Sequence, residues 1–177
     1  MPRHHHSSIP ASIGAPGSTR TYYVVDIENM GCWPHLTLSQ VTWCRERIFT
    51  KVTPEPGDQT VIASSDHNAR AVWYGWSLSA DRRVRSGKDG ADHELLDALS
   101  DVAWIASRFD QVVVCSGDHI FAPAVAALKA AGLHVIVIAP SDGLSRQMRM
   151  AAGPDLIYLD LPSVYVSAPK TRIPRIA

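Results

Sequence analysis

Two short stretches constrain this chain more than any other feature. Tyr22-Tyr23-Val24-Val25-Asp26-Ile27-Glu28-Asn29 is an apolar, β-branched run that ends on a carboxylate and then an amide. Gln111-Val112-Val113-Val114-Cys115-Ser116-Gly117-Asp118 has the same shape and again ends on Asp. Runs of this length, bounded by polar residues, read as strands buried on both faces, as in a parallel sheet. Polar side chains just past the C-terminal ends of such strands stand where open α/β sheets form their binding crevice. If the two strands are neighbours, Asp26 and Asp118 face each other across one crevice.

The rest of the chain supplies the units such a sheet needs. Leu38 to Val52 reads as a helix, with Val41, Cys44, Ile48 and Val52 near helical spacing. Pro54-Glu55-Pro56-Gly57-Asp58 breaks it, and Thr60 to Ser64 reads as a second buried strand. A short helix capped by Asp66 extends to Trp76, and Arg82 to Ser86 reads as a strand near an edge. Leu95, Leu96, Leu99, Val102, Ala103 and Ala106 form one apolar stripe, which predicts a single helix from Gly90 to about Ser107. After the strand ending at Asp118 come a helix from His119 or Ile120 to Ala131, ended by Gly132, and a strand from Leu133 to Ala139. A short helix around Leu144 to Ala151 and a strand from Leu156 to Leu159 complete the domain.

Alternating strands and helices predict an α/β fold: a parallel-dominated sheet with helices on both faces, a Rossmann-like three-layer sandwich. Right-handed crossovers favour a sheet that winds outward from the first strand and then returns to its other side. That return makes a switch point between the strands ending at Asp26 and Asp118. The expected division is an N-terminal arm over residues 1–20, a domain over 21–161 and an extended basic tail over 162–177.

At 177 residues the chain has room for one domain with a substantial core, and 46% hydrophobic against 19% charged residues is a globular balance. Lys+Arg 17 against Asp+Glu 17 leaves no net charge, so attraction for a polyanion has to be local. Cys32, Cys44 and Cys115 show no metal-ligand spacing. Cys115 falls inside a buried strand, and the expectation is free thiols in a reducing cytoplasm. No apolar run approaches the roughly 20 residues of a membrane span, and no membrane partner is expected.

A third carboxylate joins the first two. In Ser86-Gly87-Lys88-Asp89-Gly90-Ala91-Asp92-His93, Asp92 falls in the first turn of a helix entered from the same sheet edge. Three carboxylates in one crevice repel and raise one another's pKa, and a divalent cation relieves this. Hard oxygen ligands select Mg²⁺ or Mn²⁺, which suit in-line displacement at phosphorus. Each acid also has a plainer reading. Asp26 and Asp118 follow strands, where Asp commonly caps a helix, and Asp92 suits the positive end of its helix dipole. Asp97 lies roughly 140° around the helix from Asp92, which argues against a ligand role.

Taken in order, Asp26-Ile27-Glu28-Asn29, Gly87-Lys88-Asp89-Gly90-Ala91-Asp92 and Ser116-Gly117-Asp118-His119-Ile120-Phe121 resemble the NYN family within the PIN-like nucleases. That family shows Asp-x-x-Asn after the first strand, a Gly-Lys-Asn-like loop leading to an Asp, and Ser-x-Asp-x-Asp-Phe after the fourth strand. The resemblance covers about residues 21 to 160. It implies a Mg²⁺- or Mn²⁺-dependent ribonuclease with its metal at the switch point, held by Asp26, Asp92 and Asp118 and supported by Asn29 and Ser116. One departure stands out: Ile120 replaces the second Asp of the last motif. Asp142, just beyond the following strand, is the candidate replacement ligand.

The implied partner is RNA, single-stranded or structured, and a homo-oligomer is compatible with such a chain. Ser116 is a candidate to bind a substrate oxygen, and Lys88 and Arg85 are candidates to meet phosphate, although arginines in this segment also suit an edge strand guarded against sheet pairing. Trp33, in a Gly/Pro loop four residues after Asn29, is the candidate for stacking on bases. His119, beside Asp118, is a candidate acid or base. Two competing functions remain. One is an RNA-binding or protein-interaction module that has lost turnover, as Ile120 suggests. The other is a phosphatase using Asp26 as nucleophile, which the sequence Asn29-Met30-Gly31 fits poorly.

Overall fold

The computed structural model describes residues 19–31 and 33–160. Apart from residues 19 and 20, the arm and tail expected at the two ends fall outside them, as does Cys32. Six parallel strands form one sheet in the order β3-β2-β1-β4-β5-β6. They are β1 (Thr21–Asp26), β2 (Gln59–Ser64), β3 (Asp81–Val84), β4 (Gln111–Cys115), β5 (His134–Ala139) and β6 (Leu156–Tyr158). β1 lies beside β4 with Val25 opposite Cys115, and beside β2 with Asp26 opposite Ala63. The two marker strands are therefore neighbours, and the chain reverses its direction of winding between them.

Strand side chains alternate between two cores, which explains why the runs lack polar positions. Tyr22, Val24, Val112, Val114, Val135 and Val137 point to one layer. There they meet α4 (Gly90–Ser100), α5 (Val102–Arg108), α6 (Ala122–Ala130) and α7 (Arg146–Ala152), through Leu95, Leu99, Ile105, Leu128 and Met148. Tyr23, Val25, Ile62, Val113 and Cys115 point to the other layer. That layer contains α1 (Ile27–Gly31), α2 (Leu38–Lys51) and α3 (Asp66–Gly75), which contribute Ile27, Met30, Val41, Ile48 and Val72. Cys44 and Cys115 are both buried.

Local chemistry explains where the elements depart from expectation. The stripe read as one helix from Gly90 to Ser107 is broken at Asp101, whose backbone leaves the helical region and whose carboxylate accepts a hydrogen bond from Trp104 N at 2.9 Å. Asp101 thus ends α4 and caps α5, and the buried face shifts across the break: Ile105 is buried, while Ala103 and Ala106, read as part of the stripe, are exposed. Asp66 does not cap α3; Ser65 holds the cap position, with its hydroxyl directed to Glu28 instead. The helix expected from His119 begins as a 3-10 turn, His119–Phe121, before α6. α2 carries a full capping box between Thr37 and Gln40.

β3 is an edge strand, and its arginines serve the edge. Arg83 pairs with Asp81 at 2.9 Å and donates to the Glu94 carbonyl at 3.0 Å. Arg82 is wrapped by the loop that precedes the strand, donating to the carbonyls of Trp76, Leu78 and Ala80.

Candidate active site

The site grows from the two strand ends. β1 stops at Asp26 because the chain turns at once into α1, and Asp26 Oδ1 accepts the Asn29 N–H at 3.1 Å. The Asp118 carboxylate does the same for the 3-10 turn, accepting from Ile120 N at 3.1 Å. The capping reading of both residues is therefore correct, and it leaves room for a second role. Ser116, expected to meet substrate, is instead buried behind the pocket lining and joins the two: its hydroxyl donates to Asp26 Oδ2 at 2.9 Å and accepts from Asp118 N at 3.2 Å. Asn29 Oδ1 accepts from Gly117 N at 2.8 Å and ties the first strand end to the fourth.

A pocket of about 220 Å³ opens at this switch point, lined by Asp26, Glu28, Asn29, Ser65, Gly87, Asp89, Gly90, Ala91, Asp92 and Asp118. Asp26, Asn29, Asp92 and Asp118 are thus brought together as expected. Glu28 and Asp89 join them without having been singled out in the sequence. Glu28 is turned into the wall by α1 and held there by Ser65 N and Asn68 Nδ2, each donating to Oε1 at 2.8 Å. Asp89 adopts a left-handed conformation with φ 57° at the start of α4. Such a conformation is uncommon outside glycine and tends to cluster at functional sites. Gly90 beside it is required, because a Cβ there would run into the Arg85 carbonyl.

Crowding shows in the electrostatics. Burial, then the charge of Asp92, pushes the Asp26 pKa up to about 7 against the opposing hydrogen bonds from Asn29 and Ser116. Asp92 is pushed up to about 6, by burial and then by Asp118, Asp89 and Glu28, with His93 acting the other way. His119 Nδ1 lies 2.7 Å from Asp118 Oδ1.

Other expectations are corrected. Trp33 is not an exposed platform: it is 6% exposed, packed edge-on to Trp43 and folded back over Gly31, where a Cβ would strike its ring. Asp142 is exposed in a 3-10 turn after β5 and does not reach the pocket. Backbone explains why: Gly117 accepts from Ser145 N at 2.8 Å and packs against the Gly143 carbonyl, so main chain fills that side. Lys88 is exposed on the rim between lining residues, and Arg85 is exposed and 3.6 Å from Glu94; neither lines the pocket. Ile120 is half-buried against the core on the α4–α7 side, also outside the pocket.

No group of three His, Cys, Asp or Glu side chains among the described residues is gathered tightly enough to hold a metal ion as it stands. The donor set nevertheless fits a hard cation. It consists of carboxylate oxygens, two of which, on Asp26 and Asp92, have raised pKa values, and Mg²⁺ commonly keeps several waters and takes only one or two carboxylates directly.

Fold and crevice together define a three-layer α/β protein with an acidic site at its switch point, the arrangement of PIN-like proteins. The profile of the NYN domain matches residues 50–160. The chain belongs to the NYN domain family. The matched span starts after β1, so the carboxylate of Asp26 joins the site through the fold. The crystal structure of a protein of unknown function from Vibrio parahaemolyticus has the same fold, with a TM-score of 0.55 and 16% identity over 84% of this chain and 97% of that one. No curated protein matches significantly. Among the described residues, no helix is long and apolar enough to cross a membrane.

Proposed function

We propose that the protein is a Mg²⁺- or Mn²⁺-dependent ribonuclease that hydrolyses phosphodiester bonds at the Asp26–Asp92–Asp118 pocket. The observation that carries this is the pocket wall: five carboxylates at the switch point of an NYN fold, with no lysine or arginine among the lining residues. Asp26, Asp92 and Asp118 would hold the metal, with Glu28 and Asp89 at the wall. A bound divalent ion supplies Lewis-acid stabilisation of charge on the phosphoryl group.

The chain's own residues do the rest. Ser116 and the Asn29 N–H favour the ionised form of Asp26 against the burial that opposes it. Asn29 fixes the Gly117 backbone, and with it the approach of Asp118. His119 sits against Asp118, its Nδ1 2.7 Å from Oδ1, and so helps to fix that carboxylate.

Ile120 favours a second reading, an RNA-binding module without turnover, because the acid of the family motif is missing there. Glu28 and Asp89 weigh against that reading by adding two carboxylates to the wall. Incubating single-stranded RNA with the protein in Mn²⁺ tests the proposal. Cleavage should occur, and Asp92→Asn should abolish it. RNA that is retained but left intact would establish the binding module instead.

A further inference from the structure

A pocket walled by five carboxylates offers a polyanion no cationic anchorage among its lining side chains. Binding energy for a nucleic acid must therefore be found outside it. Trp33, the aromatic expected to stack on bases, lies in the core. Two large aromatics do stand exposed side by side, Trp73 at 55% and Tyr74 at 68%, both on α3. That helix starts directly after Ser65, which lines the pocket.

Helical spacing places Arg70 on the same face as Trp73 and Tyr74, at i+3 and i+4, and Arg70 is exposed. From Asp66 to Tyr74 this stripe leads away from the pocket for about 12 Å at 1.5 Å per residue. The platform is organised in advance. The Arg82 guanidinium lies 5.5 Å from the Trp73 ring centroid, and it is itself fastened to the carbonyls of Trp76, Leu78 and Ala80. A cation held against an aromatic ring that is more than half exposed is a surface on which a base can stack with its phosphate nearby.

We propose that Arg70, Trp73, Tyr74 and Arg82 form a stacking exosite for single-stranded RNA leading into the acidic pocket. The proposal rests on the ribonuclease reading for the direction of the strand. The chemistry favours RNA over a protein partner because α3 and β3 pair arginine with exposed aromatic rings, and because α3 begins at the pocket wall.

The test uses a fluorescein-labelled single-stranded RNA 12-mer, with anisotropy titrations in EDTA so that nothing is cut. The full chain should bind it, and Trp73→Ala/Tyr74→Ala should weaken Kd about tenfold to a hundredfold. Trp73→Phe/Tyr74→Phe should stay within about threefold, since the aromatic faces remain. The rise in melting temperature on adding Mn²⁺ should be the same in all three proteins, showing that fold and pocket are intact. In Mn²⁺ the alanine pair should raise KM and spare kcat.

Full-length protein that binds no RNA would overturn the exosite. So would an alanine pair with unchanged Kd and KM, which leaves the ribonuclease reading standing. An alanine pair that converts a dimer to a monomer on size exclusion while Kd holds also overturns it, and assigns the stripe to a second copy of the chain. RNA binding that depends on the stripe without any cleavage supports the exosite and removes the ribonuclease reading.

Discussion

Asp26→Asn should make the metal-free protein more stable at neutral pH, and the size of the gain can be worked from the site. Asp26 is buried, and its pKa lies near 7 in the fold against an ordinary 3.8. The folded state therefore binds this proton more tightly than the unfolded chain. Below about pH 4 both states carry the proton and the residue costs nothing. As pH rises toward 7, the unfolded chain gives up the proton first and stability falls. Above 7 the cost is constant. At about 1.4 kcal/mol per pH unit, the full cost is on the order of 4 kcal/mol.

Asparagine cannot ionise, so it removes this cost. Its carbonyl oxygen can keep the bond from Asn29 N, but its amide meets the Ser116 hydroxyl donor to donor until that hydroxyl turns. Allowing roughly 1 kcal/mol for that mismatch, the variant should gain about 3 kcal/mol at pH 8. For a chain of this size that corresponds to a rise of about 6–12 °C in melting temperature. Melts in EDTA from pH 4.5 to 8.5 read it directly. The two proteins should converge at the acidic end and separate toward pH 8. Some slope should survive in the variant, because Asp92 is also raised. Adding Mn²⁺ at pH 8 should raise the wild-type melting temperature and leave the variant little changed. A variant less stable than wild type by the same margin at both ends of the range would refute the reasoning, since a simple packing defect behaves that way.

Three further changes have defined outcomes. Ser116→Ala strips a donor from Asp26 and leaves the Asp118 N–H without its acceptor, so urea denaturation should show a loss of about 1–3 kcal/mol and Mn²⁺ titration a weaker midpoint. Ile120→Asp should not restore activity, because Ile120 packs against the core outside the pocket; a loss of roughly 2 kcal/mol with no gain in RNA cleavage is expected, and faster cleavage would show that the residue reaches the site. Asp101→Ala removes the cap between α4 and α5 and should cost about 1 kcal/mol in urea without altering the response to Mn²⁺.

The strand order was legible because fully apolar runs without alternation admit few placements, and the doubly wound order put the ends of β1 and β4 side by side. Asp92 followed from two glycines ahead of a helical stripe. What escaped the sequence depends on backbone turns that composition does not reveal. Glu28 looked like the tail of a strand, yet α1 begins at Ile27 and swings it into the wall. Asp89 reached the pocket through a left-handed residue in front of a glycine. The Asp89-Gly90 pair, preceded by Gly87-Lys88, was the available signal. Trp33 misled because a glycine/proline loop usually exposes its aromatic, whereas Gly31 lacks the side chain that would have kept the ring from folding back. Asp101 escaped because an apolar stripe says nothing about whether the backbone is continuous, and past the break Ile105 takes the buried face that Ala103 and Ala106 were expected to hold.

The partners of these acids separate a ligand site from a structural cluster. A carboxylate group that serves only the fold is normally compensated by lysine or arginine, because crowded, buried like charges are costly. Here the compensation comes almost entirely from neutral donors: Ser116 and Asn29 N on Asp26, Ser65 and Asn68 on Glu28, Ile120 N on Asp118. The exceptions are two histidines, His119 on Asp118 and His93 near Asp92, and a histidine carries charge only when protonated. The nearby arginines are used elsewhere, Arg83 on Asp81 and Arg85 on Glu94. Neutral donors hold the oxygens in place without cancelling their charge, and they leave the pocket short of positive charge. A site built this way gives up stability in the metal-free state, and a bound cation would return it. The Mn²⁺ dependence of the melting temperature is therefore a more direct reading of the pocket's purpose than any single substitution.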